Sequence, residues 1–346
     1  MKPYYHPALF LLLISLSNAS YSDPYKIAFG SCLDQDIPQP IWSTIQKDEV
    51  NAFIFLGDNV YGDDDSSGEL DTLRAAYSKQ RSKLPSWLSE KEIYSIWDDH
   101  DYGENDGGSL YKGKRESQEL FLNFWKIPNN DQRHDQEGIY FDHEFTTDGI
   151  KVHLIALDTR YFRSELDGGF RSYKINDDDG ATILGTGQWS WLNKVIKKDA
   201  DLIILMTSIQ LFATNHAYEK WSLFPNERKK MLQLIDNLNT TTIVLSGDRH
   251  RAGIYKYNNV YEITASALNK PSSRKSSNET DPLLLHEMYV KENYGLMLID
   301  GKSKEVKFSL KDIEGNLFIF KQTYPASIFI VFKCLFNSCS QICPGF

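Results

Sequence analysis

The chain has 346 residues, of which 41% are hydrophobic and 25% are charged, so it is long enough to bury a large core in one large domain or two small ones. Its net charge of -9 and its isoelectric point near 5.4 argue against a broad nucleic-acid groove, because such a groove needs a basic face. Any phosphate group that the protein handles must therefore be met locally, by metal ions or by a few arginines.

The N-terminus has the pattern of a secretory signal peptide. Lys2 precedes an apolar run over residues 8–16, and the small residues Ser17 and Ala19 occupy the two key positions of a cleavage site. We expect residues 1–19 to be removed and the mature protein to be secreted or periplasmic. The alternative is a short N-terminal membrane anchor, although the run is too brief for a stable membrane span.

Six short apolar runs, each followed by polar residues, are typical of buried β-strands. In chain order they are KIAFGSC, AFIFLGDN, IYSIWDDH, KVHLIALDTR, DLIILMTSIQ and TIVLSGDRH. Helical patterns lie between the runs, over residues 114–125, from Thr186 onward and from Pro225 onward. Strands that alternate with helices predict an α/β sandwich, in which ligands bind beyond the carboxyl ends of the strands.

The C-terminal part of the chain has a different pattern. From Tyr294 the residues alternate around two turn signals, at Asp300-Gly301 and at Glu314-Gly315-Asn316, which predicts a closing β-meander. Residues 325–346 form an apolar tail, in which an oxidising compartment would favour a disulfide. The tail carries three of the four cysteines: Cys334, Cys339 and Cys343.

An ordered set of polar residues follows the predicted strands. Gly57-Asp58 ends one strand, Asp99-His100 follows a second, and Gly247-Asp248-x-His250 ends a third. Together with the segments FGSC, GDNVYGDD, WDDHDYGEND, LDTRYFR, QWSWL, WSLFPNERKKML and SGDRH, this set resembles the alkaline phosphatase D (PhoD-like) family of the calcineurin-like metallophosphatase superfamily. The resemblance runs from about Phe29 to Leu268. It implies a four-layer αββα sandwich with a C-terminal β-meander, which we place over residues 25–324.

The resemblance also implies that two metal ions share the carboxylate of Asp58. Cys32, Tyr61 and His250 would complete the shell of the first metal, which then unites a thiolate, a phenolate and an imidazole. This donor set suits a transition metal, and its anionic members favour Fe³⁺. The alternatives are that Asp58 only forms a turn and that Cys32 is a small buried hydrophobic residue.

The second metal would be held by Asp58, Asp99 and Asp248. A shell of oxygen atoms favours Ca²⁺ or Mn²⁺ over Zn²⁺. We therefore predict Fe³⁺ and Ca²⁺, with Mn²⁺ or Zn²⁺ as alternatives. Ser208 and Gln210 stand where the wider superfamily usually supplies a further histidine, so this sequence departs from the wider superfamily at the second metal.

Three residues are predicted to act on the substrate. His100 would orient or protonate the leaving oxygen. Arg160 would contact a substrate phosphate through its planar guanidinium, and Arg163 is a second candidate for this role. The alternative for both arginines is a surface ion pair with Asp158 or Asp167.

The segment IYSIWDDHDYGENDGG, residues 93–108, crowds carboxylates that repel one another unless a cation, a proton or water intervenes. A further Ca²⁺ near Asp98 or near residues 63–65 is an alternative. Three acidic residues of the segment are expected to be solvated loop charges: Asp101, Glu104 and Asp106.

The function that these features predict is an exported, metal-dependent hydrolase of phosphoric esters, acting through a metal-activated hydroxide. Its substrate would be a phosphate monoester or diester, whether a small molecule, a phospholipid or the end of a polymer, and the protein would be a monomer. One alternative is a non-catalytic, exported Ca²⁺-binding or adhesion module. A nuclease of the same superfamily is disfavoured by the acidic charge.

Overall fold

The structure is a computed structural model that describes residues 23–64, 69–272 and 279–323. These residues form twelve strands and six α-helices. The strands are β1 (Tyr25–Gly30), β2 (Ala52–Leu56), β3 (Glu92–Ile96), β4 (Phe141–Thr147), β5 (Ile150–Ala156), β6 (Leu202–Met206), β7 (Thr241–Ser246), β8 (Ala252–Tyr257), β9 (Val260–Ala265), β10 (Asn293–Asp300), β11 (Glu305–Asp312) and β12 (Leu317–Thr323). The helices are α1 (Ile41–Lys47), α2 (Asp71–Lys83), α3 (Asp99–Tyr102), α4 (Lys114–Phe124), α5 (Gly185–Val195) and α6 (Pro225–Asp236).

The strands form two six-stranded mixed sheets. In the first sheet the order is β12-β11-β10-β1-β2-β3, and in the second it is β4-β5-β6-β7-β9-β8. Strands β1, β2 and β3 are parallel to one another, and so are β5, β6, β7 and β9. The carboxyl ends of the parallel strands in each sheet therefore lie along one edge, which is where polar loop residues can converge.

Three groups of buried side chains separate four layers. The largest group lies between the sheets and includes Phe29 of β1 and Leu154 of β5. A second group joins Leu205 of β6 to Trp189 of α5 on the outer side of the second sheet. A third group places Trp42 of α1 against the outer side of the first sheet. The predicted four-layer αββα sandwich is thus confirmed.

The predicted strands are rich in apolar residues because both faces of each sheet are covered. In β2, Ile54 points into the core between the sheets, whereas its neighbours Phe53 and Phe55 belong to the outer group. All six predicted strands are present, as β1, β2, β3, β5, β6 and β7. The antiparallel strands β10, β11 and β12 are the predicted meander, with a register shift between Leu310 and Lys311.

Several sequence predictions fall on other parts of the chain. The predicted signal peptide, Asp65 and the three tail cysteines lie outside the described residues. Among the residues that the structure does describe, we find no helix with the length and hydrophobicity needed to cross a lipid bilayer.

Candidate active site

The loops after β1, β2 and β7 hold four predicted metal ligands in an unusual backbone conformation. Cys32, Asp58, Asp248 and His250 have φ angles of 56°, 51°, 65° and 52°, in the left-handed region that non-glycine residues rarely adopt. Such conformations persist where surrounding structure fixes them, and they concentrate at functional sites. Here the backbone N–H of Leu33 donates to the carbonyl of Asp58 at 2.8 Å, which ties the first two loops together.

The residues predicted for the first metal come together around one oxygen of Asp58. The Cys32 thiol donates to Asp58 Oδ2 at 3.3 Å, and the Tyr61 hydroxyl donates to the same oxygen at 3.1 Å. Tyr61 Oη also lies 3.5 Å from His250 Nε2. Ligand atoms of Cys32, Asp58 and His250 all lie within 4.8 Å of one another. The four side chains therefore form one compact donor set.

His250 is oriented for this set by the loop that follows β9. Its Nδ1–H donates to the backbone carbonyl of Lys270 at 2.5 Å, and its own backbone N–H donates to Ser266 Oγ at 2.9 Å. Because Nδ1 is occupied, Nε2 is the nitrogen that faces Tyr61. A second hydrogen bond that fixes the ring in this way is the usual arrangement for a metal-ligating histidine.

A second group shares Asp58 with the first. Ligand atoms of Asp58, Asp99 and His100 lie within 4.8 Å of one another, so the predicted substrate residue His100 stands among the predicted ligands. Asp99 accepts backbone N–H groups from His100 at 2.9 Å and from Asp106 at 2.7 Å. Asp248 belongs to neither group but lines the same pocket as Asp99 and His250.

The electrostatics of these residues fit a bound cation. Burial and the neighbouring carboxylates of Asp99, Asp98 and Asp101 raise the pKa of Asp58 well above its ordinary value, against the opposing effect of His100. Burial and the charge of Asp58 likewise raise the pKa of the Cys32 thiol. Asp58 Oδ1 and Asp248 Oδ2 are buried, and within the described part of the chain neither accepts a hydrogen bond. Anionic donors in such an environment fit metal ions that share Asp58.

His100 has a carboxylate partner that the sequence analysis did not identify. Its Nδ1–H donates to Asp63 Oδ2 at 2.6 Å, since a carboxylate can only accept. Its ring lies against Tyr61, with ring centroids 4.3 Å apart. Burial opposes protonation of His100, but Asp99, Asp58 and Asp63 outweigh this effect and raise its pKa well above the ordinary value. Asp63 thus holds the proton on Nδ1 of His100. Nε2 is then the nitrogen that exchanges a proton: it is unprotonated in the neutral ring and is a donor in the charged ring.

The prediction that Asp101 is a solvated loop charge is wrong. Asp101 is fully buried, and its carboxylate accepts backbone N–H groups from Asp98 at 2.6 Å, from Asp58 at 3.2 Å and from Asn59 at 3.2 Å. Asp98 and Asp101 form the capping box of the short helix α3. The sequence contained this signal, because acidic or hydroxyl residues three positions apart are typical of a helix N-terminus. Asp101 holds the loop that carries Asp58.

Arg160 and Arg163 do not reach the pocket. Both are fully buried, in one ionic cluster with Asp98 and Glu219. Arg160 Nε donates to Asp98 Oδ1 at 2.6 Å and its Nη1 donates to Glu219, whose other oxygen lies 2.8 Å from Arg163 Nε. This placement argues against direct contact with a substrate phosphate, because no guanidinium surface is open. The alternative, an ion pair at the surface, is also not observed among the described residues: the contact of Arg160 with Asp158 is made by its backbone N–H, at 2.9 Å, and not by its guanidinium.

A pocket of about 320 Å³ lies beside the predicted metal ligands. The predicted residues that line it are Asp99, His100, Asp248 and His250. Its remaining wall is basic and aromatic, which the sequence analysis missed, and includes Phe170, Arg171, Tyr218, Arg249, Arg251 and Lys270. Arg249 and Arg251 flank His250 in the motif GDRHR, so the motif itself held a signal for two of these cations.

Solved structures of several proteins share this fold, among them the following three. The structure of PhoD matches with a TM-score of 0.63 and 16% identity, over 88% of this chain and 72% of that chain. GAP50, the anchor in the inner membrane complex of Plasmodium, matches with a TM-score of 0.60 and 11% identity, over 88% of this chain and 90% of that chain. The purple acid phosphatase PPD1 from yellow lupin (Lupinus luteus) seeds matches with a TM-score of 0.59 and 10% identity, over 90% of this chain and 55% of that chain. Identities this low establish similarity of fold alone.

The sequence itself gives the family. No curated protein sequence matches the chain. The sequence profile of PhoD-like phosphatases, however, matches residues 27–311, which contain every predicted site residue. The matched region also spans both sheets from β1 to most of β11. The chain therefore belongs to the PhoD-like phosphatase family.

Proposed function

We propose that this phosphatase is an exported, metal-dependent hydrolase of phosphoric mono- or diesters that works as a monomer. The observation that carries the proposal is the pair of ligand groups that share Asp58, because their members Asp99, His100 and His250 line a pocket with basic walls. Export rests on the signal-peptide pattern of residues 1–19. The net charge of -9 favours an ester substrate that is not a nucleic acid.

Each residue of the site has a role in this proposal. Cys32, Tyr61 and His250 would hold a first metal, and Asp99 and Asp248 a second, with Asp58 shared between them. Bound metal ions lower the pKa of water and neutralise charge on the phosphoryl oxygens.

His100, held on Asp63, presents Nε2 toward the leaving oxygen and exchanges a proton there. We assign Arg160 and Arg163 as positioning residues, because Arg160 fixes the start of α3 through Asp98 and Arg163 shares Glu219 with Arg160.

The His100→Ala variant tests this division of roles. We expect kcat to fall by about 10²–10⁴-fold on p-nitrophenyl phosphate or bis-p-nitrophenyl phosphate, the usual contribution of a positioned acid–base group. Bound metal, measured by elemental analysis, should stay nearly unchanged. His286→Ala is the control, since this exposed histidine does not line the pocket. Turnover equal to wild type would remove His100 from the mechanism, and loss of metal would make it a ligand.

The metal assignment predicts a coloured protein. Purified protein should contain iron together with calcium, and a visible absorption band should arise from Tyr61 and Cys32 bound to Fe³⁺. The band should disappear in Tyr61→Phe if the phenolate causes it, whereas Tyr77→Phe, which changes a buried tyrosine of α2, should keep it. A colourless, fully active protein with two zinc ions would overturn the assignment.

A non-catalytic module is the second candidate, and the fold neighbour GAP50 supports it, because GAP50 is the anchor in the inner membrane complex of Plasmodium. This candidate does not need the Cys32–Tyr61–His250 set or the Asp63–His100 pair. Wild-type protein loaded with both metals would decide the question, since an anchor would hydrolyse neither of the two nitrophenyl esters.

A further inference from the structure

The basic wall of the pocket carries an arginine and aromatic stack. The guanidinium carbon of Arg171 lies 4.8 Å from the ring centroid of Phe170 and 5.3 Å from that of Tyr218. The guanidinium carbon of Arg249 lies 4.6 Å from the ring centroid of the same Tyr218. Stacking of this kind orients a guanidinium plane and leaves its edge free to donate.

The cations of the wall differ in how far they are neutralised. Arg249 and Arg251 share one carboxylate, Glu279, at 2.6 and 3.5 Å. Lys270 pairs with Asp34 at 2.7 Å. Within residues 23–64, 69–272 and 279–323, Arg171 forms no ion pair, and its side chain is exposed at the rim. Arg171 is thus the cation of this wall that has its donors available.

We propose that Arg171 binds a second anionic group of the substrate, away from the scissile phosphate ester. This inference rests on the proposed hydrolase function and narrows it to esters that carry another carboxylate or phosphate. The metal ligands take the reacting phosphoryl group, and Arg171, stacked on Phe170 and Tyr218, offers a planar fork to the second anion. Phe170 is 59% exposed, so its ring is available to contact the part of the substrate that links the two anionic groups.

Non-hydrolysable ligands test the inference directly. Propylphosphonate and 3-phosphonopropanoate differ only by a methyl group in place of a carboxylate, and so do hexylphosphonate and 6-phosphonohexanoate. Each is used as a competitive inhibitor of p-nitrophenyl phosphate hydrolysis. In at least one pair, we expect the inhibitor with the carboxylate to bind about tenfold more tightly than the one with the methyl group. This gain is typical of a charge-assisted hydrogen bond at a partly exposed site.

Two variants separate Arg171 from general surface charge. Arg171→Ala should abolish the preference for the carboxylate, measured as the ratio of the two inhibition constants within each pair. This ratio compares two inhibitors of the same variant, so it does not depend on how fast that variant hydrolyses p-nitrophenyl phosphate. Lys174→Ala removes the same charge from the same loop but not from the pocket lining, and it should keep the preference. The preference should also weaken as salt is raised from 0.05 to 0.5 M, because Arg171 is exposed.

The outcomes distinguish this inference from the function on which it rests. If wild type shows no carboxylate preference in either pair, or if Arg171→Ala keeps it, the assignment of Arg171 is overturned while the hydrolase remains. If wild type with metals hydrolyses no ester at all, the proposed function fails first.

Discussion

Replacing Asp58 with asparagine should abolish hydrolysis and release metal from both groups at once. Asp58 is the residue that the Cys32–His250 group and the Asp99–His100 group have in common. Asparagine keeps the size of the side chain but removes its charge and one anionic oxygen, so neither ion keeps its shared ligand. Because metal ions contribute several kcal/mol of transition-state stabilisation, kcat/KM should fall by at least about 10³-fold.

The folded state should survive this change. Asp58 is buried beside Cys32 and the carboxylates of Asp99, Asp98 and Asp101, so removing its charge relieves repulsion in metal-free protein. Thermal unfolding of the metal-free variant should therefore start no earlier than that of metal-free wild type. Asp64→Asn is the matched control: its carboxylate accepts the Tyr111 hydroxyl at 2.8 Å, and it belongs to neither ligand group. If Asp58→Asn retains both metals and full activity, the shared-ligand assignment is wrong.

The Glu219→Gln variant should lose about 3–5 kcal/mol of unfolding free energy, which is the usual cost of leaving a buried ion without its partner. Glu219 contacts both Arg160 and Arg163, and all three side chains are at most 1% exposed. Glutamine keeps the shape but leaves two buried guanidiniums with one carboxylate, Asp98. Asp98 follows a strand of the first sheet and the arginines follow a strand of the second, so the cluster connects the sheets below the pocket.

Urea unfolding at neutral pH measures this loss. The control is Asp167→Asn, which breaks an exposed pair with Lys174 at 3.8 Å and should change stability by less than about 1 kcal/mol. If Glu219→Gln also changed the free energy of unfolding by less than about 1 kcal/mol, the buried cluster would not stabilise the fold.

Continuous apolar runs explain why most of the fold could be predicted. Strands such as β2 and β6 are covered on both faces, so their sequences AFIFL and LIILM admit few other interpretations. Strand β4, FDHEFTT, is an edge strand with polar residues on one face, and its period-two alternation was not recognised. The hairpin of β8 and β9 turns at Asn258-Asn259, where Asn258 has φ 51°, and this short turn was also missed.

The site was predictable only as far as strand ends converge. Carboxyl ends of parallel strands meet at one edge, which brings Cys32, Asp58 and His250 together from positions far apart in the chain. The residues that pair with His100 and with Arg160 were not predictable in this way. Asp63 reaches His100 across 37 positions of the chain, and Glu219 reaches Arg160 across 59. Such pairings depend on how loops pack and leave no periodic pattern in the sequence.

The left-handed backbone at Cys32, Asp58, Asp248 and His250 has a consequence for how ions are acquired. Backbone bonds between loops, such as Leu33 to Asp58 and Gly247 to Ser208, set these conformations through contacts that involve no ion. The ligand side chains then lose their conformational entropy during folding and not when an ion binds. The affinity of the site for an ion would therefore be higher than that of a flexible site with the same ligands. In the proposed metal assignment, one ion would replace another without rearrangement of the chain. The donor atoms and the supply of metal in the compartment, and not the shape of the site, would then decide which ion is bound.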